Sequence, residues 1–141
     1  MSSARELAED YAKSVAEGIR EQVEAGAMFG YQDGWGTRVD SLADIDGYSV
    51  DEHDADNLPD GWDTASAGDY VSDALDTHYI VNADKTYRHA RVFVTLGGPN
   101  VYVDTEERAL FVTWGSGSAR ENLPETFCEA IDEYLSEYWD A

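Results

Sequence analysis

The sequence predicts an α+β fold: one domain in which about four antiparallel strands form a meander, flanked by an N-terminal and a C-terminal helix, with a short middle helix. Three observations predict it. Apolar residues recur at helical spacing near both ends of the chain, aromatic and β-branched residues alternate within residues 77–115, and turn residues cluster between these runs. The chain has 141 residues, the size of a single domain, and 43% of them are hydrophobic, including 4 Trp, 9 Tyr and 4 Phe. That content is too apolar for a disordered acidic tail.

Residues 1–30 read as a helix. Ser2 or Ser3 is placed to cap it, Glu6 lies three residues after Ser3 as in a capping box, and Leu7, Tyr11, Val15, Ile19 and Val23 form an apolar stripe. The run Gly26 to Gly30 ends it. Residues 31–76 are rich in Asp, Gly and Pro, which marks a long turn-rich region without regular periodicity. Ser66 is placed to cap the short helix that follows, with Tyr70, Val71, Ala74 and Leu75 as its buried face. In the sheet, Tyr79-Ile80-Val81 leads to a turn at Ala83–Thr86. Ala90, Val92, Val94 and Leu96 then share one face, opposite Arg91, Phe93 and Thr95. Gly97-Gly98-Pro99-Asn100 and Asp104–Glu107 are turns, and Ala109 to Trp114 closes the meander. Gly115–Ser118 reads as a linker. The last helix, residues 121–141, has Pro124 at its first turn and an apolar stripe of Phe127, Ile131, Tyr134, Leu135 and Tyr138.

Charge divides this chain as sharply as periodicity does. Thirty Asp and Glu face nine Lys and Arg, a net charge of −21, and the excess sits in two blocks. Residues 31–76 hold thirteen acids and one base, residues 121–141 hold seven acids and none, whereas residues 77–120 hold four acids and five bases. A surface this negative is repelled by phosphate, so direct nucleic-acid binding and anionic membranes are excluded as partners. Self-repulsion costs stability, so concentrating it points to a basic partner for which carboxylates imitate phosphates. Acids three or four apart on a helix stand roughly 5 to 6 Å from one another, near the spacing of phosphates along a strand. The candidate surrogates are Asp51, Glu52, Asp54, Asp56, Asp60 and Asp63 in the middle block, and Glu125, Glu129, Asp132, Glu133 and Glu137 on the last helix; Glu17, Glu21 and Glu24 form a similar row on the first. Trp35 and Trp62 are the candidate aromatic anchors.

No catalytic constellation is visible, and no cofactor or metal is expected. His53, His78 and His89 have no Ser or Cys nucleophile at a telling spacing, and Cys128 reads as a small core thiol. Gly97-Gly98-Pro99 lacks the Lys-Ser/Thr of a phosphate loop. Asp44-Ile45-Asp46-Gly47 fits the middle of an EF-hand loop, but Leu42 and His53 occupy its two anchoring positions. A lone cysteine, no apolar run of membrane-spanning length and an acidic N-terminus without a signal-peptide core predict a soluble, cytoplasmic protein.

Residues 78–139, through Phe93-Val94-Thr95-Leu96-Gly97-Gly98-Pro99-Asn100-Val101-Tyr102-Val103-Asp104-Thr105, Trp114-Gly115 and Ile131-Asp132-Glu133-Tyr134-Leu135, resemble small acidic proteins carried by phages and conjugative elements. Some small acidic phage proteins of this style are anti-CRISPR or anti-restriction inhibitors that act as DNA mimics. The resemblance implies a non-enzymatic inhibitor of host defence acting in the host cytoplasm, with a CRISPR effector complex as the favoured partner. Two other classes share the composition: an immunity protein neutralising a basic nuclease toxin, and a halophile's housekeeping domain with no basic partner.

Overall fold

Ser3 starts the first helix, α1 (Ala4–Glu24): its hydroxyl accepts the Glu6 amide at 3.2 Å. The structure is a computed structural model that describes residues 3–40, 44–45, 58–96 and 99–140, Asp140 by its backbone alone. The face of α1 that is buried is Ala8, Ala12, Ala16 and Ile19, one residue round from the predicted stripe. Leu7 is 38% exposed, and Tyr11, Val15 and Val23 pack at the margins. The reason is steric: α1 starts so close to the sheet that a Cβ on Gly117 would collide with the Ala4 carbonyl, and alanines fill its first turns, with the larger Ile19 admitted only further along.

The region read as turn-rich contains a small antiparallel sheet, β1 (Tyr31–Asp33), β2 (Arg38–Val39) and β3 (Trp62–Thr64), in the order β2-β1-β3. These strands are only 2 or 3 residues long, too short for alternation to show in sequence. The sheet packs its own cluster of Ala27, Tyr31 and Ile45, with Val39, Leu58 and Trp62 against them. Next comes α2 (Ala67–Asp73), held by a complete capping box in which Ser66 and Asp69 satisfy each other's amides.

The main sheet has five strands in chain order, not four: β4 (Asp76–Val81), β5 (Tyr87–Thr95), β6 (Asn100–Asp104), β7 (Ala109–Trp114) and β8 (Gly117–Asn122). All neighbours are antiparallel. β8 occupies the stretch read as a Gly-Ser linker. Its inner position is a glycine because α1 lies on it, and Ser118, Arg120 and Asn122 face solvent, so no apolar alternation betrays the strand. Gly97 and Gly98, in the turn before β6, lie outside the described residues.

The last helix, α3 (Glu125–Asp140), follows Pro124 and buries Phe127, Cys128, Ile131 and Leu135 completely. Of the predicted stripe, Tyr134 is half-buried and Tyr138 is 66% exposed, because the helix runs past the edge strand β4. One apolar cluster joins α1, α2, α3 and the inner face of the large sheet, through Ala90, Val92, Val101, Val103, Leu110 and Val112. Among the described residues no helix is long and apolar enough to cross a membrane.

Two glycine substitutions separate packing from propensity. Gly117→Ala puts a methyl group on the α1 backbone and is expected to destabilise the protein by about 1–3 kcal/mol. Gly18→Ala, in α1 with nothing near the added carbon, is expected to stabilise it by about 0.5–1 kcal/mol. Urea denaturation midpoints of the two variants should move in opposite directions.

Candidate partner-binding surface

Every arginine in the chain is paired with one of the chain's own carboxylates. Arg5 meets Glu9 at 2.9 Å, Arg20 meets Glu121, and Arg38 bridges Asp40 and Asp73 at 2.7 and 3.1 Å. Arg88 meets Glu106, Arg91 meets Asp104, Arg108 meets Glu125 and Glu129, and Arg120 meets Glu107. Among the described residues, most of the acids outside these pairs lie on the helices.

On α3 the predicted ridge is divided. Glu125 lies 2.8 Å from Arg108 and Glu129 lies 3.7 Å from it, and Asp132 accepts the Tyr87 hydroxyl at 2.6 Å. Three of the five expected phosphate surrogates on this helix are therefore tied to the sheet and its β6–β7 turn. Arg108, at the tip of the β6–β7 turn with φ 52°, does this, and no spacing in the sequence announces it. Glu133 and Glu137 remain exposed, with no ion pair among the described residues.

α1 carries the more complete row. Glu6, Asp10, Glu17, Glu21 and Glu24 are all exposed, and at 100° per residue they fall on one stripe directly opposite the buried alanines. None is in an ion pair with a described residue. Only Lys13 interrupts the stripe, which spans about 27 Å at 1.5 Å per residue. That is roughly one negative charge per 7 Å, about twice the 3.4 Å spacing along a DNA strand.

In the middle block, Asp60 and Asp63 are exposed beside β3, and Asp63 accepts the Thr64 amide at 2.8 Å. Asp51, Glu52, Asp54 and Asp56 lie outside the described residues. The two tryptophans separate. Trp62 packs on the small cluster around Tyr31 and serves the fold. Trp35 is 94% exposed at the tip of the β1–β2 turn, where Asp33 accepts the amides of Trp35 and Thr37 at 2.8 and 3.0 Å. Those two bonds hold the Asp33 carboxyl below the usual carboxylate range.

A second surface was not anticipated. All three helices pack on one face of the large sheet, and across the other runs a ladder of rings from neighbouring strands: His78, Phe93, Tyr102 and Phe111, at centroid separations of 4.6, 5.0 and 5.1 Å. Arg91 lies over Tyr102 and Arg120 over Phe111. The alternation in β5 already set Phe93 and Arg91 apart from the core, but only the strand register aligns them with Tyr102 and Phe111. Nearby, His89 is buried, its Nδ1 without a hydrogen bond and 3.6 Å from Glu106.

Among the described residues no group of three or more His, Cys, Asp or Glu is placed to hold a metal ion. Burial pushes the Cys128 thiol up to about 12, with Asp132 adding to the effect. Tyr70 and Tyr87 are shifted in the same direction, first by burial. No protein-family model matches the chain, and neither a curated protein nor a solved structure shows significant similarity to it.

These raised groups fix the sign of the alkaline response. The Cys128 thiol stays protonated in the folded protein while an unfolded thiol ionises near 9, so the unfolded state gains as pH rises between those values. Thermal stability should hold below about pH 8 and fall progressively by about pH 10.5, and Cys128→Ala should fall less steeply than the parent. In native protein at about pH 8 a thiol reagent should label Cys128 only as fast as the protein opens.

Proposed function

We propose that the chain is a non-enzymatic acidic inhibitor that presents carboxylates in place of phosphates and docks on a basic, DNA-handling surface of another protein. The observation that carries this reading is the α1 stripe: five carboxylates on the face opposite the core, with no ion pair among the described residues, in a chain whose arginines are all paired elsewhere. A fold seeking only solubility would be served by acids interspersed with bases. Here five acids are gathered on one ridge of α1 with Lys13 as the one base among them, while Arg5 and Arg20 lie to the side of that ridge and five of the nine bases belong to the large sheet and its turns. Glu133 and Glu137 on α3, Asp60 and Asp63, and Trp35 at its exposed turn extend the proposed contact surface.

The choice of target rests on the resemblance of residues 78–139 to acidic proteins of mobile elements. It makes host defence machinery, and a CRISPR effector complex in particular, the partner proposed. The mechanism is competition: the acidic ridge occupies the groove that would receive duplex DNA, attracted by long-range complementarity and held by carboxylate–arginine and carboxylate–lysine pairs.

The test is a mobility-shift assay of a guide-loaded CRISPR effector on its target duplex, with the chain as inhibitor. Inhibition is expected at about 50 mM salt and should weaken steeply by about 200 mM. The triple variant Glu17→Gln, Glu21→Gln, Glu24→Gln should lose at least about tenfold in inhibitory potency while keeping its melting temperature, since these side chains touch nothing in the core. Inhibition that is indifferent both to salt and to the triple variant would rule out this mechanism.

A further inference from the structure

We infer that the hollow between α2, β4 and α3 receives an arginine side chain of the basic partner, an inference that rests on the acidic-inhibitor reading above and names its anchor. The hollow has a volume of about 220 Å³ and is walled by Tyr79, Tyr134 and Tyr138, with Val71, Ser72 and Leu135 completing it. No base lines it. The rings are fixed before anything binds. Trp139 lies 5.3 Å from the Tyr79 ring and donates its indole N–H to the Lys85 carbonyl at 2.8 Å. Tyr134 lies flat against α2 at Gly68, where a Cβ would come within 2.9 Å of the ring. Tyr138 is 66% exposed, nearly parallel to Tyr134 at 6.5 Å. A preformed wall of this kind binds without having to order side chains.

The chain's own arginines indicate what such a wall accepts. Arg38 lies over Tyr70 and pairs with Asp40 and Asp73, Arg91 lies over Tyr102 and pairs with Asp104, and Arg120 lies over Phe111 and pairs with Glu107. In each case one guanidinium is held by a ring face and a carboxylate together. The hollow itself supplies the rings, and the carboxylates stand outside its lining on the same helix as Tyr134 and Tyr138. Its rings are in place, and Glu133 and Glu137, each next to a wall tyrosine along α3, are exposed and without an ion pair among the described residues. A planar guanidinium stacks on such rings while reaching a carboxylate; an ammonium does so less well.

The experiment uses the full chain and two blocked nonapeptides, one alternating arginine with glycine and the other lysine with glycine. Binding is followed by the NMR signals of the Trp139 indole and of the tyrosine rings at about 50 mM salt. The arginine peptide should shift the Trp139, Tyr134 and Tyr138 signals and bind at least about threefold more tightly than the lysine peptide. Tyr138→Leu, which keeps apolar area but removes the ring, should weaken the arginine peptide about tenfold and leave the lysine peptide nearly unchanged; Tyr138→Phe should restore binding. Tyr138 is mostly exposed, so both variants should fold, which a melting curve checks. If the arginine peptide binds but its shifts are confined to α1, or Tyr138→Leu binds it as well as the parent, the hollow is not the anchor and the acidic-inhibitor reading stands without it. If neither peptide binds at low salt, both the anchor and that reading are overturned.

Discussion

Packing of α1, α2 and α3 on a single face of the five-stranded sheet is the constraint from which the rest of the molecule follows. Because α1 approaches β8 closely enough to require Gly117, its inner face is mostly alanine, with Ile19 further along, and its outer face stands exposed. That outer face is where the carboxylates stand. Because no helix among the described residues covers the opposite side of the sheet, its aromatic residues pack against one another, tilted or stacked, and arginines lie over them. Antiparallel sheets commonly leave one face to solvent, but usually a polar one.

The ion pairs matter here for where charge ends up more than for stability. Most of the arginines are about half exposed, and pairs of that kind contribute little each. Their effect is to neutralise much of the sheet and its turns, so that among the described residues most of the remaining negative charge is left on α1, on the outer part of α3 and around β3. Self-repulsion among those acids opposes folding, and the continuous apolar core, from Ala8 to Leu135, offsets it. A surface maintained against that repulsion, opposite a face built for packing, fits a protein whose activity is to meet positive charge.

Much of this arrangement could be read from the residues. The α+β class, the presence of β5, β6 and β7, the caps at Ser3 and Ser66 and the burial of Cys128 all follow from local rules that tertiary packing did not override, although β6 takes in Asn100 and Asp104 from the flanking turns. The α1 stripe was displaced by one residue because Leu7, Tyr11 and Val15 outweigh alanines in any hydrophobic pattern, although alanines make the close contact. β8 was hidden because a strand pressed against a helix and solvent has no reason to alternate apolar residues. The division of the α3 ridge was invisible because Arg108 reaches Glu125 from a turn some distance away in sequence. The ring ladder needed the register of four strands, and the hollow beside Tyr138 needed three elements brought together.

The central claim is that carboxylates on this chain occupy the place of DNA phosphates on a basic partner. Its most direct measurement is competition at equilibrium: labelled chain bound to a guide-loaded CRISPR effector, titrated with duplex DNA carrying the target. The account predicts mutually exclusive binding, with the chain's apparent dissociation constant rising in proportion to DNA concentration and no ternary complex at saturation. A stable ternary complex, or an affinity for the chain that DNA leaves unchanged, would contradict it.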